Sequence, residues 1–214
     1  MKDPQIPVTR EGYPFIAFAG FMTLIFAVLE YELIAIIGIV LTGFVVNFFR
    51  DPERIGPNEE DAFVAPADGK VILVEKVFDE KYLQEHAYKI SIFMNVFDVH
   101  VNRLPFAGEV EKIIYSPGKF YAANSDQAAL ENENCAVVMS TTKKFRYAVV
   151  QVAGLLARRI VCWTEKGDTL ERGARYGMIR FGSRVDIFLP QQVQIEVTTG
   201  KTVKAGETIL GYIS

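Results

Sequence analysis

Cysteine, histidine and tryptophan are scarce in this chain of 214 residues, which holds two, two and one of them. The cysteines, Cys135 and Cys162, form no CxxC pair. That excludes a disulfide framework and a cysteine zinc cluster, and they read as buried thiols of a reducing compartment. His86 and His100 are too few for a multi-histidine metal site, so no metal is expected. Runs of lysine and arginine are also missing, and the formal charge is −3. Both features argue against a nucleic-acid partner. Nor is the chain disordered: half its residues are hydrophobic, 23% are charged, and it carries 16 phenylalanines and 9 tyrosines. Its length suits one sizeable domain with an appendage.

The hydrophobicity is concentrated near the beginning. Residues 13–49 are apolar apart from Glu30, Glu32, Thr23, Thr42 and Asn47. Two arms, Phe15–Leu29 and Leu33–Phe49, flank an acidic Glu30-Tyr31-Glu32 element. Each arm is near or below the ~17–25 residues that cross a bilayer. The stretch is too long for a cleaved leader and lacks a small-residue cleavage site. A buried core hairpin is the alternative, but we read a membrane-embedded helical hairpin turning at the acidic element. Lys2 and Arg10 precede it, and Arg50 and Arg54 follow it. Basic residues at both ends put both ends on the cytoplasmic face of the cell membrane. Arms this short suit either a full span or insertion into one leaflet.

From Arg50 to Asn58 the chain is polar and rich in proline and glycine, which marks a boundary. The expected division is 1–54, hairpin and linker, and 55–214, a β-rich catalytic domain. Runs such as Gly69–Val74, Tyr88–Met94 and Arg146–Val152 are rich in β-branched and aromatic residues and bounded by turn residues. Helical periodicity is weak beyond residue 60, apart from a short segment near Asp126–Leu130. The fold class expected is mainly β, a β-sandwich or barrel-sandwich-like domain behind an N-terminal apolar helical hairpin. Phe63–Val71 resembles the opening strand and turn of a lipoyl/biotinyl-like barrel, and Val197–Gly211 its closing hairpin. The sandwich would then join segments far apart in sequence.

One dipeptide stands out. Gly182-Ser183 is a polar turn pair between strand-like runs, without the flanks of a G-x-S-x-G nucleophile elbow. A Gly-Ser bond held in a folded chain can break itself. The serine hydroxyl attacks the glycine carbonyl to give an ester, and β-elimination then releases the upstream chain. The residue left behind loses ammonia to become a pyruvoyl group. Glycine tolerates the strained backbone this needs, and the serine needs a base. His100, in Phe97-Asp98-Val99-His100-Val101-Asn102-Arg103-Leu104-Pro105, is the candidate base. Asp68, in Pro66-Ala67-Asp68-Gly69, is the candidate orienting carboxylate. Taken singly, a lone histidine is more often structural, and Asp-Gly is a common turn.

Five features in order resemble the phosphatidylserine decarboxylase family, in its short form, over nearly the whole chain. They are the apolar segment ending in Phe48-Phe49-Arg50-Asp51-Pro52, Pro66-Ala67-Asp68-Gly69, the Phe97–Pro105 segment, the stretch from Pro117-Gly118-Lys119-Phe120 to Glu131-Asn132-Glu133-Asn134, and Gly182-Ser183. The resemblance implies a proenzyme that cleaves itself into 1–182 and 183–214, with a pyruvoyl group made from Ser183 as its covalent cofactor. Its ketone would form a Schiff base with the amine of phosphatidylserine and accept the electrons left by departing carbon dioxide, giving phosphatidylethanolamine. The implied partners are the phospholipid substrate, the membrane, and the two fragments as a heterodimer, alone or in a higher oligomer.

Two positions depart from the family pattern. Phe181-Gly182-Ser183-Arg184 stands where Leu-Gly-Ser-Thr is frequent, and Arg103 stands where many members carry a second histidine. Either His100 serves both self-cleavage and decarboxylation, or Arg103 stabilises charge in one of them. Arg103, Arg158 and Arg159 are the cations expected at the substrate, the last two for its phosphate. A solvated surface role fits Arg158 and Arg159 as well. Two other readings compete. A lipoyl or biotinyl carrier would use Lys70 or Lys201, but the usual Met-Lys-Met is absent. A non-enzymatic membrane adaptor would have no use for a broken Gly182-Ser183 bond.

Overall fold

The computed structural model describes residues 7–119, 121, 131–154, 159–180 and 183–213. The chain forms two compact units, Met1–Glu53 and Arg54–Ser214. The expected segment near Asp126–Leu130 lies outside the described residues.

The first unit is a helix pair. A short 3-10 turn, Arg10–Gly12, leads into α1 (Tyr13–Val28), and α2 (Glu32–Phe48) follows. Pro14, at the start of α1, has no N–H to leave unpaired and a φ already suited to a helix. The chain reverses at Glu30, whose φ of 60° ends the helical run. The turn therefore falls on the acidic element read from the sequence. Both helices are apolar all round, a pattern that belongs in protein interior or lipid rather than water. Yet Phe18, Leu33 and Val40 are all about two-thirds exposed or more. The run Arg10–Val28 is long and apolar enough to cross a membrane, and Glu32–Phe48 is a shorter apolar helix. The helices meet through small residues: Thr23 Oγ1 lies 3.2 Å from Thr42 Oγ1, and Gly38 has no room for a Cβ beside Thr23. Each threonine hydroxyl also donates to a carbonyl one turn back, Ala19 or Gly38. At the base the two ends are tied together, with Thr9 N donating to the Phe49 carbonyl and Asp51 N to the Pro7 carbonyl.

The second unit is built of antiparallel strands. In chain order they are β1 (Ala62–Val64), β2 (Gly69–Asp79), β3 (Glu85–Met94), β4 (Val101–Arg103), β5 (Gly108–Ser116), β6 (Asn134–Ser140), β7 (Arg146–Ala153), β8 (Ile160–Cys162), β9 (Thr169–Leu170), β10 (Arg175–Ile179), β11 (Ser183–Pro190), β12 (Val193–Ile195), β13 (Thr202–Val203) and β14 (Ile209–Ile213). The largest sheet has the order β13-β2-β3-β11-β7-β6-β5-β9 and curls into a half-barrel. Two three-stranded sheets, β1-β14-β12 and β4-β10-β8, complete the unit. The mainly β class and the N-terminal helix pair are thus as the sequence suggested.

The distant echo has a structural counterpart. β1 pairs with β14, and β13 pairs with β2 at Thr202↔Lys70. Gly69, between the Asp68 turn and β2, has a φ of 146° and lies where a Cβ would strike the Phe93 carbonyl.

Strand alternation assigns the core. Val185, Ile187 and Leu189 of β11 join Ile90, Ile92 and Met94 of β3 and Val149 of β7 on the inner face, with Leu104, Tyr176 and Ile179 packed on them. Phe188, Ala148, Val150 and Val152 point to the other face, under Leu83. Both faces are covered, so β6, β7 and β11 are buried almost throughout.

Candidate active site

Ser183 is the first residue of β11, between Met94 of β3 and Ala153 of β7. The two-residue period puts it on the inner face with Val185 and Ile187. It is fully buried, and its Oγ has no hydrogen-bond partner among the described residues. A buried hydroxyl without a partner costs stability, so its retention calls for a reason other than packing. Gly182, the residue expected on the other side of the scissile bond, lies outside the described residues.

His100 reaches the same end of the sheet by two routes. The Asn95–Val99 loop runs to it from Met94, the ladder partner of Ser183. Its carbonyl also accepts from Ile179 N at 3.3 Å, and Ile179 stands four residues before Ser183. Four residues of chain span at most about 14 Å. The imidazole is fully buried, with Nδ1 3.0 Å from the Asp98 carbonyl oxygen. A carbonyl only accepts, so Nδ1 carries the proton and Nε2 is the basic nitrogen of the neutral ring.

Asp68 has other partners. Its Oδ2 lies 2.7 Å from Arg54 Nη2, and its Oδ1 accepts from Ala205 N at 2.8 Å. Its hydrogen bonds thus hold Arg54 and the turn before Gly206, and His100 is not among its partners. The His100 Nδ1–H donates to the Asp98 carbonyl. Arg103 lies at the Asp68 end of β4: its N donates to the Pro66 carbonyl and its Nη1 to the Gly173 carbonyl at 2.9 Å. It is buried and braces backbone. Arg159 is exposed at the His100 end, where its carbonyl accepts from Arg180 N. No carboxylate among the described residues pairs with its guanidinium. Arg158 lies outside the described residues.

Sequence reasoning missed a buried amide pair. Gln151 Nε2 donates to Asn102 Oδ1 at 2.8 Å, and Asn102 Nδ2 points at Met94 Sδ, 3.6 Å away. Gln151 is the ladder partner of Val185, so it shares the face of Ser183, and its Oε1 has no partner among the described residues. The pair joins the sheet that carries Ser183 to the strand that begins beside His100. Gly177 permits this: a Cβ there would fall 2.9 Å from Gln151 Nε2 and well inside contact with the Val161 carbonyl. The only signal in the sequence was polar residues amid buried runs. Arg184 is also settled within the strand, its Nε 2.8 Å from Asp186 Oδ1 and its Nη2 3.0 Å from Oδ2.

The two cysteines lie close together. Cys135 pairs in register with Gln151, and Cys162 with Gly177. The Cys135 thiol donates toward Cys162, which lowers the Cys162 pKa to about 7 and pushes that of Cys135 well up. Both are free, and Cys162 is only partly buried.

A buried serine at a strand start and a buried histidine at the same end of the sheet are the parts of an enzyme site. Comparison with known proteins says which kind. The family described as Phosphatidylserine decarboxylase matches residues 41–211. Similar full-length relatives are each named Phosphatidylserine decarboxylase proenzyme. That of Desulfotalea psychrophila is 55% identical, and that of Geotalea uraniireducens 49% identical, over 100% of both chains. That of Geobacter sulfurreducens is 49% identical, also over 100% of both. The chain belongs to the phosphatidylserine decarboxylase family and is a decarboxylase.

Proposed function

We propose that the chain converts phosphatidylserine to phosphatidylethanolamine, using a pyruvoyl group formed from Ser183 when the chain cuts itself between Gly182 and Ser183. The observation that carries this is the buried Ser183 hydroxyl at the first position of a central strand, with no hydrogen-bond partner among the described residues. The word proenzyme in the relatives' names supports a processed chain.

The cut needs a nucleophile and a base. The Ser183 oxygen attacks the Gly182 carbonyl carbon; the C–N bond breaks, and the amide nitrogen becomes a free amine. A base then takes the Ser183 Cα proton, the ester C–O bond breaks, and Gly182 leaves as a carboxylate. The dehydroalanine left behind takes up water and releases ammonia. His100 suits the base, since its Nδ1–H is held by the Asp98 carbonyl and Nε2 is the nitrogen able to take a proton. Fixed in place by β3 and β7, position 183 holds the group at the start of β11, beside the Gln151 carboxamide. Gln151 Oε1, buried on the same face without a partner among the described residues, is an acceptor that suits an N–H of the substrate amine joined to that group. That group supplies an electrophilic ketone for the substrate amine and an electron sink for the bond broken by loss of carbon dioxide.

Arg159, exposed at the His100 end, is proposed to meet the headgroup phosphate, and Arg158 with it. Arg103, whose Nη1 donates to the Gly173 carbonyl, is kept as a cation that steadies charge at one of the two steps. The hairpin holds the catalytic unit at the cytoplasmic face of the membrane, which raises the effective concentration of a substrate confined to that surface. Fragments 1–182 and 183–214 stay together as a heterodimer.

Intact-mass spectrometry of the purified protein tests the proposal. Two chains are expected, with 183–214 lighter by ammonia than a fragment beginning in serine. Ser183→Ala should give one uncut, inactive chain. A cut and active Ser183→Ala chain would overturn the mechanism.

A further inference from the structure

The loop that joins Met94 to His100 carries an exposed aromatic side chain. Phe97 is 66% exposed, while Val99 and His100 after it are buried. The loop is a built turn: Asp98 Oδ2 accepts from Asn95 N at 2.8 Å, Asn95 Oδ1 from Phe97 N at 2.8 Å, and the Asn95 carbonyl from Asp98 N at 3.0 Å. Such a turn gives up little further freedom on binding, so what it presents is presented rigidly. A single exposed aromatic is ordinary on a protein surface. This one stands three residues from the candidate base, on a loop that begins at the ladder partner of Ser183.

A cation lies at the same end. Arg159 and Arg180 are joined through the backbone, and Ile179 is bonded to the His100 carbonyl. Arg159 is therefore two strands from His100, about 10 Å at ordinary strand spacing. An exposed aromatic and a cation without a carboxylate partner among the described residues, both at the His100 end, match the acyl and phosphate layers of a phospholipid surface.

We infer that Phe97 is an interfacial anchor of the catalytic unit, which buries its ring at the headgroup–acyl boundary of the bilayer and seats the mouth of the site on the lipid. The inference rests on the proposed phospholipid substrate. It adds a second membrane contact to the helix pair and sets the depth at which the serine headgroup enters.

The test uses the full chain reconstituted in vesicles of equal parts phosphatidylglycerol and phosphatidylcholine brominated in the acyl chains. Trp163, the one tryptophan, is replaced by phenylalanine, and Phe97→Trp then reports the position. Phe78→Trp is the control. Phe78 is 54% exposed and pairs with His86, eight residues along β3 from Met94 and about 27 Å from the site end. Expected are a blue-shifted emission and loss of most intensity for the Phe97→Trp chain, with the Phe78→Trp chain unquenched. Two outcomes would overturn the inference: a Phe97→Trp chain that floats with the vesicles yet stays unquenched, or both variants quenched alike. Hydrogen exchange of the 95–99 amides in the unsubstituted chain, slowed by vesicles if the loop docks, guards against a fault of the tryptophan variant. Neither readout requires turnover. The mass spectrum can therefore refute the proposed chemistry while the loop still docks, and the reverse.

Discussion

Gly177→Ala should damage the catalytic unit out of proportion to one methyl group. The new Cβ would stand 2.9 Å from Gln151 Nε2 and inside contact with the Val161 carbonyl of the neighbouring strand. Displacing backbone in a packed core costs about 1–3 kcal/mol. Pushing the Gln151 amide off Asn102 leaves buried groups unbonded, at another ~1–3 kcal/mol. The stiffer unfolded chain offsets about 0.4–1 kcal/mol. The middle of the net range is about 3 kcal/mol, or about 6–12 °C in melting temperature for a unit of this size. Thermal unfolding is best followed in the Ser183→Ala background, so that every variant is one covalent chain. Adding Gln151→Ala should reduce the cost of Gly177→Ala by the amide share, about 1–3 kcal/mol. A shift below about 2 °C, or a cost that Gln151→Ala leaves unchanged, would refute the argument that Gly177 makes room for the amide pair.

Three further outcomes are expected. His100→Ala should slow self-cleavage, decarboxylation or both, followed by gel and by carbon dioxide release; normal rates for both would remove it from the site. Asp68→Ala leaves Arg54, among the described residues, with only Glu207, at 3.5 Å, and should cost about 3 kcal/mol in urea unfolding, the lower end for a broken buried pair. Unchanged stability with lost processing would instead give Asp68 a direct part in the chemistry. Alkylation of Cys162 should rise with pH through a midpoint of about 7, because the thiolate is the reactive form and the Cys135 hydrogen bond favours it. Cys135→Ala should move that midpoint up toward the ordinary thiol value, about 8.5, and an unmoved midpoint would deny the contact.

Much of the fold could be read in the sequence where composition and period were strong. The helix pair and its turn followed from two apolar runs broken at Glu30-Tyr31-Glu32, and strands β2, β3 and β7 contain the runs chosen for their β-branched residues. Even the meeting of the chain's β1–β2 and β13–β14 segments was foreshadowed by their shared likeness to one barrel. Contacts between distant side chains were not legible. Asp68 finds Ala205 across 137 residues and Gln151 finds Asn102 across 49, separations over which no periodicity carries information. The same limit applied to Cys135 and Cys162, which read as two ordinary buried thiols although each shifts the pKa of the other. Arg103, prominent because it replaces a histidine, proved to be bonded to backbone.

The placement of β11 has a consequence for what a break before Ser183 would do. The segment 183–214 supplies a central strand laddered on both sides, the strand β14 between β1 and β12, and β13 on the edge of β2. It is woven through two sheets rather than laid upon them. Cutting its one covalent link would not yield a peptide that diffuses away, because leaving would require unzipping β11 from both β3 and β7. Separation of the pieces would then be as slow as global unfolding, and maturation would be a one-way event that keeps its shape.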